Sequence, residues 1–193
     1  MNARVLLIGG TSHAGKTSLG ERVARNLGWR YISTDNLSRH PGRPWPRDDG
    51  SLPEDVIAYY SAPDDEARLQ SVLDHYTHNV WPIVDGLVRC HLNNPYDQSL
   101  VLEGSALLPP CVDASAFERT RTIWLTAPGG MIRERIEATS SYEQRDATQR
   151  ALIDAFIARA LAFDRHIRST LQGDQRLLEP HQTPDAVSEL VTL

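Results

Sequence analysis

Gly10-Thr11-Ser12-His13-Ala14-Gly15-Lys16-Thr17 is the stretch on which the fold of this chain turns. It sets out glycine, four residues, glycine, lysine and threonine in order, the pattern of a loop that wraps phosphate groups. Before it, Val5, Leu6, Leu7 and Ile8 form a short apolar run ended by Gly9 and Gly10, which predicts a strand buried on both faces. After it, Leu19, Val23 and Leu27 recur every fourth residue and Gly28 follows, which predicts a helix and its stop. A strand handing over to a helix through glycines lets successive backbone amides converge on an anion at the helix N-terminus. Gly10 to Ser18 is therefore the expected nucleotide-binding segment. Lys16 is placed to reach the β- and γ-phosphates, and the Thr17 hydroxyl to ligate Mg²⁺, a hard cation that takes oxygen donors.

Composition sharpens this reading. Of the 20 basic residues in the 193-residue chain, only Lys16 is a lysine; every other is arginine. A compact ammonium kept at one position suits a tight phosphate site, where arginine's planar fork does not substitute. The length bounds the chain to one domain with room for a small insertion. A formal charge of −5 argues against a broad surface for nucleic acid and confines cationic chemistry to local sites. Cys90 and Cys111 have no metal-ligand spacing and are expected as buried thiols. With no long apolar run and no secretory layout before the first strand, the expectation is a cytoplasmic protein without a membrane span, either monomer or homodimer.

Working outward, Tyr31-Ile32, Leu100 to Leu102, Ile123 to Leu125 and Leu177-Leu178 read as further short strands with helical patterns between them, so a parallel α/β winding is expected. The interval 37–99 exceeds a simple crossover. It opens as a proline-broken loop, with Trp45 as its anchor, and continues into helical stretches around 54–60, 64–78 and 83–92, which predicts a helical substrate-binding insertion. Leu152, Phe156, Ala160, Phe163, Ile167 and Leu171 mark the long helix, about 22 residues from Gln149. The polar stretch 139–148 before it reads as a mobile lid.

The loop from Gly9 to Thr17, followed by Ser33-Thr34-Asp35 after the second strand and Leu102-Glu103-Gly104 after the third, resembles the P-loop small-molecule kinases. The similarity is nearest to their 2-phosphoglycerate kinase-like, zeta-toxin-like and polynucleotide-kinase-like branch. The resemblance implies a three-layer fold with a five-stranded parallel sheet, a substrate-binding insertion, a closing lid, and ATP with Mg²⁺ as the phosphoryl donor. The acceptor it implies is a hydroxyl of a small molecule. A polynucleotide 5′-hydroxyl kinase and a nucleotide-gated regulatory ATPase are the alternatives.

Individual side chains follow from this chemistry. Asp35 falls at the carboxyl end of the second strand, where parallel sheets bind ligands, and can accept the proton of an attacking hydroxyl; an aspartate before Asn36-Leu37 also makes a good helix cap. Glu103 ends the third strand and can hold a water of the Mg²⁺ shell or meet a substrate hydroxyl, or simply close a turn. Arg39 and Arg43 can fork onto an anionic substrate group. The resemblance places lid arginines that neutralise the moving phosphoryl group near Arg133, Arg135, Arg145, Arg150 and Arg159, with Arg135 and Arg145 foremost.

Overall fold

The computed structural model describes residues 3–37, 41–46, 51–62, 64–171, 176–178 and 187. Strand β1 (Val5–Gly10) is apolar and wholly buried, and it lies at the centre of a five-stranded parallel sheet. Beside it run β3 (Leu100–Glu103) and β4 (Thr120–Leu125), with β2 (Arg30–Ser33) and β5 (Arg176–Leu178) at the edges, giving the order β2-β3-β1-β4-β5. Register pairs Ile8 with Glu103 on one side and with Ile123 on the other, so the loops after β1, β2 and β3 open on one sheet edge.

Alternation along β1 sorts the core into two layers. Val5 and Leu7 join Leu100, Leu102 and Trp124 under helices α3 (Asp65–His75), α4 (Trp81–Asn93), α5 (Pro109–Ser115) and the second half of α7 (Ala147–Thr170). Leu6 and Ile8 face the other way, onto Leu19, Val23 and Ala24 of α1 (Lys16–Leu27). A third cluster gathers Val56 and Tyr60 of α2 (Glu54–Ser61), Ile132 and Ile136 of α6 (Gly129–Ser140), Trp45, and Leu152, Ile153 and Phe156 of α7. The 24-residue α7, about 36 Å long at helical rise, thus spans two cores.

Within segment 37–99 the described residues include helices α2, α3 and α4, and Val72, Leu73, Val80, Val84 and Val88 pack onto the sheet face. Loop 41–46 and α2 instead lie against α6 and α7. Between α3 and α4, Tyr76–Val80 winds as a π-helix, a wider turn that carries one chain direction into the next without a loop. The stretch expected as a lid, 139–148, consists of the end of α6, the left-handed Ser141, a 3₁₀ turn at Tyr142–Gln144 and the start of α7. Asp146 caps α7 by accepting from the Gln149 amide at 2.8 Å. The cysteines differ from expectation: Cys90 is exposed and Cys111 half-buried. Val84, Val88 and His91 take the buried face of α4, which turns Cys90 outward. No helix among the described residues is long and apolar enough to cross a membrane.

Candidate active site

One cavity of about 770 Å³ opens on the carboxyl edge of the sheet. Residues 12–18 of the glycine loop, Asp35, Arg43, Glu103 and Arg135 all line it, so most of the residues singled out in the sequence converge. Gly15 stands at φ 101°, in the left-handed region that favours glycine, and serves as the N-cap of α1 without any side-chain cap. The first amides of α1 are therefore left for an anion.

Lys16 is 8% exposed, and its Nζ donates to the Thr11 carbonyl at 2.8 Å, curling the side chain over the loop it belongs to. Burial pushes this ammonium below the usual lysine range, while the carboxylates of Glu103 and Asp35 act in the opposite sense. Thr17, on the first turn of α1, donates its hydroxyl to Glu103 Oε1 at 3.4 Å, and the Tyr31 hydroxyl donates to the same oxygen at 2.9 Å. Glu103 itself is only 2% exposed. A hydroxyl and a buried carboxylate at one end of the phosphate loop are oxygen donors of the kind a hard divalent cation takes, so these residues fit Mg²⁺.

Gly104 follows at φ 151°, and a Cβ there would overlap the Thr34 hydroxyl. That close approach seats the 3₁₀ turn Thr34–Asn36 against the end of β3 and fixes Asp35 in the cavity wall. The turn is capped by Ser33, whose hydroxyl accepts from the Asp35 amide at 3.4 Å, so the carboxylate of Asp35 is not spent on capping.

The arginines divide. Arg135 of α6 reaches back to the loop, donating Nη1 to the His13 carbonyl at 2.8 Å. Arg145 does not reach the cavity: its Nε donates to the Ser140 carbonyl at 2.8 Å and closes the C-terminal end of α6. Arg43 lies with its guanidinium 5.8 Å from the Trp45 ring centroid. Arg39 lies outside the described residues.

His13 takes φ 62°, and its ring sits 6.1 Å edge-on from Phe156 and 6.3 Å from Trp45. Its buried Nδ1 has no hydrogen-bond partner among the described residues. Burial, then the charges of Arg43, Lys16 and Arg135, pull its pKa down to about 4. Trp45 anchors its loop as expected, and it does so against the phosphate loop.

Sequence reading missed Tyr76 and Ser105 as cavity residues, and it named Arg159 only among the arginines that the resemblance places near the lid, behind Arg135 and Arg145. A signal existed: Arg159 follows Phe156 by three positions and precedes Phe163 by four, so it is a charge on the apolar stripe of α7.

No family model matches the chain, and no curated protein matches it. Solved structures do. A sugar kinase from Janibacter sp. is 18% identical over 97% of this chain and 91% of that one, with a TM-score of 0.50. Shikimate kinase from Bacteroides thetaiotaomicron is 15% identical over 98% of both chains, with a TM-score of 0.51. At such identities the likeness is one of fold: a parallel α/β sheet with flanking helices, shared with P-loop small-molecule kinases.

Proposed function

We propose that this protein is an ATP-dependent kinase that transfers the γ-phosphoryl group to a hydroxyl of a small molecule. The observation that carries the reading is the single cavity wall shared by the phosphate loop, with its buried Lys16, and the Asp35 carboxylate. Asp35 is poised to accept the acceptor's hydroxyl proton as the oxygen attacks. Lys16 and the α1 N-terminus hold the donor's phosphates, and Arg135 approaches from α6 to meet charge that develops in transfer. Mg²⁺, held at Thr17 and Glu103, would screen the phosphate oxygens from one another. Positioning and charge neutralisation are thus the residues' main contributions.

The finer placement, in the 2-phosphoglycerate kinase-like, zeta-toxin-like and polynucleotide-kinase-like branch, draws on Ser33-Thr34-Asp35 and Leu102-Glu103-Gly104 alone. The net charge of −5 favours a small acceptor over a polynucleotide.

Transfer of label from γ-labelled ATP into a metabolite extract tests the reading. Lys16→Ala and Asp35→Asn should each lower transfer by on the order of 100-fold or more, with Mg·ATP affinity preserved in Asp35→Asn. Slow ATP hydrolysis that no metabolite stimulates and that Asp35→Asn leaves unchanged would instead indicate a nucleotide-gated module.

A further inference from the structure

Arg159 is 8% exposed, yet it lines the cavity. Its guanidinium lies 4.8 Å from the Phe156 ring centroid and 5.5 Å from that of Tyr60, whose hydroxyl donates to the Gly42 carbonyl at 3.2 Å. Among the described residues no carboxylate pairs with it; the arginine ion pairs are those of Arg68, Arg89, Arg133 and Arg168. Aromatic faces attract a cation but accept no conventional hydrogen bond, so most of the five-donor fork is left for a ligand. A buried, desolvated guanidinium without a counter-charge is costly unless an anion completes it.

Its surroundings say where that anion would lie. Tyr76 and Ser105 line the cavity with Arg159, as does Asp35. Tyr76 feels both charged groups: burial pushes its phenol up to about 12, Arg159 acts against that rise, and Asp35 adds to it. The proposed proton acceptor and the buried cation therefore act on one tyrosine in the shared cavity wall. Arg43, on the loop that bears Trp45, adds a second positive charge to the same cavity. The recess behind Arg159, with Thr11, Ser12 and Phe163 in its wall, has only about 10 Å³ of space, room for about one water, so a ligand must meet the guanidinium from the cavity side.

We propose that the phosphoryl acceptor is itself an anion, a hydroxyl compound bearing a carboxylate or a phosphate monoester, whose charged group is held by the buried fork of Arg159 while its hydroxyl faces Asp35. This rests on the kinase reading above and adds the acceptor's chemical class. A bidentate guanidinium suits either oxyanion.

The test divides a metabolite extract on an anion exchanger before reaction, so that retained and unretained compounds are offered separately with γ-labelled ATP. Label confined to the retained pool supports the proposal. Phosphatase treatment of that pool beforehand then tells the two anions apart, since carboxylates survive it and monoesters do not. Arg159→Lys should raise the KM for the labelled acceptor about tenfold and Arg159→Met about 100-fold, with the KM for ATP unchanged in both. Arg159→Lys keeps the buried charge and guards against a variant that fails to fold. Label appearing only in the unretained pool overturns the anionic acceptor and leaves the kinase standing; label in neither pool overturns both. An acceptor KM untouched by Arg159→Lys and Arg159→Met also overturns the assignment.

Discussion

Arg135 of α6 donates to the carbonyl oxygen of His13 across 2.8 Å, which joins the helix before the 139–148 turn directly to the phosphate loop. The same loop residue is held on its other side by Trp45 and Phe156, so loop, insertion and long helix meet at one backbone position. Arg145, ten positions on in sequence, does something different and closes a helix end.

That contrast separates two arginines of equal sequence promise. Arg135→Leu should lower phosphoryl transfer by on the order of 100-fold, the effect of losing one preorganised donor, besides costing about 1 kcal/mol for the lost His13 contact. Arg145→Leu should lower stability by about 1 kcal/mol through the lost hydrogen bond and leave kcat nearly as it was. Thermal melts and steady-state kinetics on both variants check this, and the reverse pattern would put the catalytic arginine at the turn.

His13 gives the fold a pH dependence with a definite sign. With its pKa near 4 in the folded chain and near 6.5 when unfolded, the unfolded state binds the extra proton between those values. Stability contributed by the neutral ring is therefore present above about pH 6.5 and lost as pH falls toward 4. The ceiling is about 3 kcal/mol, reduced to about 1–2 kcal/mol by the solvent that still reaches the ring. Urea unfolding at pH 7 and pH 5 should show this loss in the parent chain and a smaller one in His13→Asn, whose side chain tolerates the left-handed backbone. Equal losses in both would remove His13 as the cause.

Gly104 should tolerate no side chain. Its φ of 151° and the overlap of any Cβ with the Thr34 hydroxyl combine strain with displacement of a buried threonine. Gly104→Ala is expected to cost more than about 3 kcal/mol. In whatever fraction folds, transfer should fall as well, because Thr34 is the neighbour that sets Asp35. A variant as stable and active as the parent would contradict this account.

How much of this was legible beforehand follows from where the determinants lie. Strand β1, the glycine loop and α1 read directly because local pattern and burial agree: a strand buried on both faces is uniformly apolar, and Gly28 ends α1 at φ 65° with its amide on the Ala24 carbonyl. Helix α7 read well because its stripe is long. Helices α5 and α6 did not, since α5 starts on Pro109-Pro110 and α6 on Gly129-Gly130, residues that signal loops but are tolerated in a first turn. In the site, residues at the carboxyl ends of strands, Asp35 and Glu103, could be placed from the strands alone. Tyr76 could not, and Arg159 could be named only as one of five arginines near the lid, because their position depends on how α7 and the π-turn pack against the sheet. Polar 139–148 reads as a lid from composition alone, whereas its helix end, 3₁₀ turn and helix start depend on the left-handed Ser141 and the Asp146 cap.

Glu103 offers a metal-specific prediction. Replacing it by Gln keeps the shape and the Thr17 and Tyr31 contacts but removes the charge opposite them. The Mg²⁺ concentration for half-maximal transfer should rise about tenfold, with the KM for the acceptor unaltered. An unchanged Mg²⁺ requirement together with a raised acceptor KM would move Glu103 from the cation to the substrate.

Because the chain's sole lysine is folded beneath its own loop against the Thr11 carbonyl, the protein carries a single side-chain amine, and that amine sits at the heart of its binding cleft. Besides the α-amino group, acylating reagents would therefore find an amine at one place only. The chain comes supplied with a built-in chemical footprint, in which protection of that nitrogen is a readout of occupancy that needs no engineered tag.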